Sequence, residues 1–224
     1  MADFFSAHRE WASRPADERF TTLHAMSDHF NRLRDASRER IVSNRKLKIE
    51  PLDTQQIVIT GPNGHAYAPT HWSFGQLSSL VGAPASYLRT LPGPMVADCI
   101  NYGLQFNRQA EDVGVLISLL DDKPVLRAAT GPAYGRVWNA DILRQLTGRF
   151  GDGVTGQWKV PGEFRRAVTV TKDNTTLFAS DRDMFVFLAD EERRIEVPNR
   201  RNGQPGSMAR GFYVWNSEVG SQTL

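Results

Sequence analysis

The residues that could do chemistry in this chain are few. The acidic pair whose spacing could serve chemistry is Asp181 and Asp183, two apart around Arg182 in "ASDRDMF". On a strand that spacing puts both carboxylates on one side, where they could hold Mg²⁺ for phosphodiester cleavage. The same stretch also fits a turn closed by local hydrogen bonds, and both readings stand at the level of sequence. Ser180 adjoins the pair but has no histidine near it, and no Gly-x-Ser-x-Gly elbow occurs, so serine nucleophile chemistry is not expected. Asp121–Asp122 and Glu191–Glu192 read as solvated turn residues. Of the histidines, His24 and His29 are five apart rather than the four that would share a helical face, and His65 and His71 bracket a turn. The single cysteine, Cys99, sits in a helix-like run and reads as a small buried apolar residue. No zinc site is expected from this set. "GPNGHA" and "GRFGDGVTG" are glycine-rich, but neither has a Gly-Lys-Ser/Thr ending or a dinucleotide-fold context. Both read as turns, so neither ATP hydrolysis nor any cofactor is expected.

The stronger signal is charge interleaved with aromatics. Net charge is only +2. Residues 32–48 nevertheless carry seven bases against Asp35 and Glu39, a local +5, and residues 193–210 carry five against Glu196, a local +4. Two basic segments around a neutral body can form a footprint for a polyanion, although two solvated faces would give the same counts. Single-strand binders pair such cations with aromatics on which bases stack. Here Arg165 and Arg166 follow Phe164, Tyr134 and Trp138 flank Arg136, and Arg210 precedes Phe212, Tyr213 and Trp215. On a strand Phe212 and Val214 face one side, Tyr213 and Trp215 the other. One side is core. The other needs a second layer, a partner chain or a base.

The elements that would position these residues follow from pattern. Residues 17–43 read as a helix, with Phe20, Leu23, Met26, Phe30 and Leu33 as its apolar stripe and Asp17 as a cap. Residues 56–60 and 65–68 read as a hairpin around Gly61–Gly64. Two short helices follow, the first capped by Thr70 or Ser73 and ended by Gly82, the second opened by Pro84 and closed by Pro92. A third helix covers 94–108. Residues 114–120 and 125–130 form a hairpin. An amphipathic helix then places Val137, Ile142, Leu143, Leu146 and Phe150 in the core. Strand candidates cover 164–171, 175–180, 183–189 and 210–216, the middle two readable also as one bulged strand. Val197–Ser207 reads as a mobile loop. The expected class is α+β, an α-rich front before a mostly antiparallel sheet with a packed long helix. At 40% hydrophobic and 23% charged, a chain of 224 residues can bury a core without disulfides. Neither a signal peptide nor a membrane span is expected, which points to the cytoplasm.

Four stretches carry a resemblance: "HWSFGQLSSLVGAPASYLRTLP", "RAATGPAYGRVWNADILRQL", "SDRDMFVFL" and "RGFYVWNSEVGSQTL". In order and spacing the chain resembles the phage/plasmid-like protein family known as domain-of-unknown-function family 932, from about residue 45 onward. The resemblance implies an N-terminal helical extension over 1–45 and a family-like α+β domain over 46–224. It also implies a helix on a curved antiparallel sheet, similar at fold level to single-strand-annealing recombinases, which assemble into rings or filaments and work without ATP. Relatives usually continue past Asn-Ser-Glu-Val-Gly, so the resemblance further implies a truncated or unusually short chain.

The expectation is therefore a non-enzymatic single-stranded DNA- or RNA-binding protein of a mobile element, oligomeric, acting in annealing, recombination or replication. Arg34, Arg38, Arg40, Arg45, Lys46 and Lys48 would form one basic wall. Arg200, Arg201 and Arg210 would form a second. Arg136, Arg165 and Arg166 would line a groove, with Tyr134, Trp138 and Tyr213 stacking on bases. The alternatives are a metal-dependent nuclease using Asp181 and Asp183, and a factor that binds and blocks a host defence protein.

Overall fold

A computed structural model describes residues 14–106, 112–120, 123–161, 169–198, 203 and 206–220. The described chain divides into two compact units. The first draws on residues 1–31 and 137–217, the second on 32–136 and 218–224. The chain is α+β, as expected, with five α-helices and eleven strands among the described residues, in two mostly antiparallel sheets. Among the described residues no helix is long and apolar enough to cross a membrane.

The first unit is a sheet in the order β1–β9–β10–β11, with β8 also on β10. Its strands are β1 (Arg19–Phe20), β8 (Trp158–Lys159), β9 (Leu177–Ala179), β10 (Met184–Val197) and β11 (Gly206–Asn216). Alternation along β10 sends Met184, Val186 and Leu188 to one face, all fully buried. Across the register that face continues through Phe212 and Val214. It packs under α1 (Leu23–Asp35) and α5 (Asn139–Phe150), whose buried residues include Leu23, Met26, Phe30, Leu143 and Leu146. Gly153 makes the approach possible: a Cβ there would stand 2.9 Å from the Leu23 side chain, and its φ of +72° suits glycine.

The second unit is a six-stranded sheet in the order β2–β6–β7–β5–β4–β3. The strands are β2 (Ser37–Ser43), β3 (Lys48–Pro51), β4 (Ile57–Thr60), β5 (Ala66–Pro69), β6 (Asp112–Leu120) and β7 (Lys123–Thr130). The edge strands β2 and β3 are consecutive in sequence, and only residues 44–47 separate them. Five residue steps reach at most about 18 Å, whereas six flat strands would hold the edges about 24 Å apart. The sheet must therefore curl. Its inner side packs on α2 (His71–Leu80), α3 (Ala85–Leu88) and α4 (Gly93–Phe106), with Leu77, Leu88, Val96, Ile100 and Leu104 in one buried cluster with Ile49, Val113 and Val115. Local chemistry fixes these helices: Thr70 Oγ1 accepts the Ser73 N–H at 3.1 Å, and Gly82 leaves α2 at φ +69°.

Several expectations need correction. The helix expected over 17–43 stops at Asp35, and 37–43 is a strand paired residue for residue with β6. Arginine and glutamate favour helix locally, but this register and the Ser37–Ser118 hydroxyl contact at 2.6 Å decide the outcome. Phe20 lies in β1 and Asp17 in a 3₁₀ turn, so neither belongs to that helix. Residues 14–45 supply strands to both sheets, so they do not stand apart as a helical extension. Ser180 to Asp183 is the turn of a β9–β10 hairpin, so these are two strands rather than one bulged strand. Val137 is 54% exposed. Cys99 is exposed, because the buried stripe of α4 runs through Val96, Ala97, Ile100 and Leu104.

Candidate nucleic-acid interface

In the first unit, the sheet face opposite α1 and α5 is aromatic. The register aligns Arg19, Phe178, Phe185 and Trp215 in one row across β1, β9, β10 and β11. Phe187 and Tyr213 form the next row. Phe178 and Phe185 are buried, Phe187 and Trp215 half-buried, and Tyr213 41% exposed. The Tyr213 ring lies nearly parallel to Phe185 at 5.9 Å. The Phe187 ring crosses Gly211, where a Cβ would stand 2.9 Å from it. Of the two sides expected for β11, Phe212 is the packed one, in contact with Phe150 and Trp158. The Tyr213 side is the one left partly open.

Asp183 anchors the margin of this face. One carboxylate oxygen accepts Arg14 Nη1 at 2.8 Å and the Ser180 hydroxyl at 2.7 Å. The other accepts Arg14 Nη2 and Trp215 Nε1, each at 2.8 Å. Burial pushes the carboxyl pKa up, but the hydrogen bonds from Arg14, Ser180 and Trp215 and the Arg14 charge outweigh it and leave it lowered. Both oxygens are thus occupied, and Asp181 is an exposed turn residue beside Arg182. The arrangement is that of a turn and a Trp clamp. Among the described residues no group of three or more His, Cys, Asp or Glu converges as metal ligands would.

Arg210 is also committed. Its Nε and Nη2 donate to Asp190 at 2.9 and 2.6 Å, and its guanidinium lies over Trp158 at 5.2 Å. Asp190 is fully buried. Burial raises its pKa, but Arg210 and the backbone N–H groups of Arg193 and Glu192 prevail and lower it. The register shifts between Asp190 and Arg194. Beyond that bulge β10 and β11 continue as a two-stranded ribbon that pairs Ile195 with Met208, which are 61% and 63% exposed. Trp138 sits at the N-cap of α5. Arg165, Arg166, Arg200 and Arg201 lie outside the described residues.

In the second unit the basic residues spread over four elements. Arg34 ends α1. Arg38 and Arg40 stand on the edge strand β2, and Arg45 and Lys46 on the turn after it. Arg38, Arg40, Arg45 and Lys46 are exposed. Lys48, on the opposite edge strand, meets Glu50 at 2.7 Å. Arg136 does not join this wall. Its side chain is 2% exposed, pairs with Glu39 at 2.9 Å and stacks on Tyr134 at 5.3 Å.

Sequence reasoning missed the role of Glu218. Arg127, at a register shift in β7, aims its guanidinium at Glu218, with Nη2 to Oε2 at 3.1 Å and both side chains within 3% of full burial. The next carbonyl, of Val219, accepts from Trp72 Nε1 at 3.1 Å and Gln76 Nε2 at 2.7 Å. An arginine inside an otherwise apolar strand, "PVLRAAT", was the available signal.

No family model matches the chain, and no curated protein or solved structure matches it either.

Proposed function

We propose that this chain binds single-stranded nucleic acid and acts, without ATP, in strand annealing, recombination or replication of a phage- or plasmid-like element. The observation that carries this reading is the half-open aromatic patch of Phe187, Tyr213 and Trp215 on the sheet face opposite α1 and α5. Flat rings on a rigid sheet suit splayed bases, and each stacked base contributes about 1–3 kcal/mol without demanding a sequence. Cations for the phosphates are at hand in the same unit: Arg182 is 53% exposed and Arg193 is exposed at the bulge of β10. The second unit has exposed cations of its own, Arg38, Arg45 and Lys46. The sequence resemblance to the phage/plasmid-like family supports the same reading, including a homo-oligomer that works in the cytoplasm. A nuclease is less well supported, because Asp183 already spends both oxygens on Arg14, Ser180 and Trp215.

The test is anisotropy of labelled single- and double-stranded oligonucleotides over a range of salt. A single-strand preference that Tyr213→Ala weakens tenfold or more is the expected result. Tyr213 is 41% exposed, so its removal spares the core. Absence of binding at low salt would overturn the reading and turn attention to a host protein as partner.

A further inference from the structure

α4 is apolar on two sides, and only one of them is buried. The buried side carries Val96, Ala97, Ile100 and Leu104. On the opposite side stand Met95, Cys99, Tyr102 and Phe106, at steps of four, three and four residues. Those steps keep them in one line along a helix, and they are the spacing with which helices pack seam to seam. Met95 is 52% exposed, Tyr102 68% and Phe106 64%, and Cys99 is exposed as well. The Tyr102 and Phe106 rings meet at 4.7 Å, so the later half of the seam is already ordered.

A solvated helix face carries charge. α4 has one charged residue among its 14, Asp98, and no base. The face therefore suits neither a nucleic-acid strand nor an anionic lipid surface, both of which call for cations. It suits a second apolar helix of matching shape, and the seam supplies that shape itself. It is slimmer early in α4, with Met95 and Cys99, and bulky late, with Tyr102 and Phe106. A parallel copy would set ring against ring and sulfur against sulfur. An antiparallel copy sets Met95 against Phe106 and Cys99 against Tyr102. Each layer then joins a sulfur side chain to a ring, a favourable contact for methionine in particular. The same alignment brings Asp98 toward Gln105 of the second copy and keeps the two Asp98 carboxylates apart.

We propose that α4 pairs antiparallel with α4 of a second copy of this chain along Met95, Cys99, Tyr102 and Phe106, making a two-fold dimer. The exposed parts of Met95 and the two rings offer roughly 400 Å² per copy, given about 150–250 Å² for a whole aromatic side chain. The pair therefore buries less than the about 1,200 Å² of a standard interface, so the dimer is weak and concentration-dependent. The inference rests on the homo-oligomer of the proposed function, to which it gives a surface, and not on nucleic-acid binding.

The experiment is sedimentation velocity of the full chain with a reductant and without nucleic acid, from submicromolar to several hundred micromolar. The expected result is a shift from monomer to dimer with rising concentration, weakened about tenfold or more by Tyr102→Ala and by Phe106→Ala, as for aromatic anchors at an interface. Both rings are exposed, so the variants should keep the wild-type far-ultraviolet circular dichroism. Cross-linking reads the direction. Met95→Cys and Phe106→Cys proteins, each also carrying Cys99→Ser, are mixed in oxidised glutathione. The mixed disulfide should form in preference to either like-with-like one, because antiparallel pairing separates the two copies of position 95 by about 16 Å along the axis. A chain that stays monomeric at every concentration overturns both the homo-oligomer and this interface, and leaves the face to a helix of another protein. A dimer that Tyr102→Ala and Phe106→Ala leave unchanged overturns this interface alone, as does a dominance of like-with-like disulfides.

Discussion

At the scale of single residues, the committed charges hold the fold and the uncommitted ones are left for partners. Arg127 and Glu218 are both buried, so losing one strands the other in an apolar interior. Glu218→Ala should cost roughly 3–5 kcal/mol in urea denaturation, whereas Arg127→Met with Glu218→Leu should cost much less than the sum of the single changes. Asp183 makes a pH argument. Its folded carboxyl is held below the ordinary value, so the unfolded chain takes up its proton first as the pH falls. The stabilisation is therefore full above the unfolded value of about 3.9 and is lost as the pH drops through the folded one. Asp183→Asn should be less stable than wild type near neutrality, and the two stability curves should converge toward low pH. Parallel curves down to the acid limit would show that the Arg14 clamp contributes nothing. None of these pairings was legible locally, since Arg14 with Asp183 and Arg127 with Glu218 join residues far apart in sequence. The short spacing of Asp181 and Asp183 was legible, but spacing alone left a metal pair open beside the favoured turn.

At the scale of elements, what the sequence encoded locally came through and what long-range pairing decided did not. Thr70, Gly82 and Pro84 set the bounds of α2 and α3 through caps and fixed dihedrals, which act within a few residues. The β2 stretch carries helix-forming arginines and a glutamate, and only its match to β6 makes it a strand. Gly103 shows a similar conflict inside α4. Helix propensity alone says that Gly103→Ala should gain about 1 kcal/mol. In the structure an added Cβ would stand 2.4 Å from the Val81 Cβ, a clash that no side-chain rotation relieves. Overpacking of this kind costs about 1–3 kcal/mol, so the steric effect should win and Gly103→Ala should lower the thermal midpoint. Val81→Gly in the same chain should recover most of the loss. A Gly103→Ala protein as stable as wild type would mean that α4 does not approach Val81 this closely.

At the scale of the whole molecule, the two basic segments fall in different units. Residues 32–48 belong to the second, and 193–210 to the first. Whether one strand of nucleic acid engages both can be read from salt dependence, because each phosphate contact on a single strand adds about 0.7 to the slope of log affinity against log salt. Arg38→Gln with Arg45→Gln and Lys46→Gln removes exposed charge from the second unit. Arg200→Ala with Arg201→Ala removes charge from the 193–210 segment of the first. If both units hold the strand, each set should flatten the slope, and the combined protein should show the sum of the two changes. If only one set has an effect, the interface is confined to that unit, and the other basic segment is a solvated face, as its charge alone allowed. Tyr213→Ala separates stacking from charge in the same assay: affinity should fall by about 1–3 kcal/mol at every salt concentration, with the slope unchanged. A changed slope with Tyr213→Ala would instead mean that the ring positions a cation, not a base.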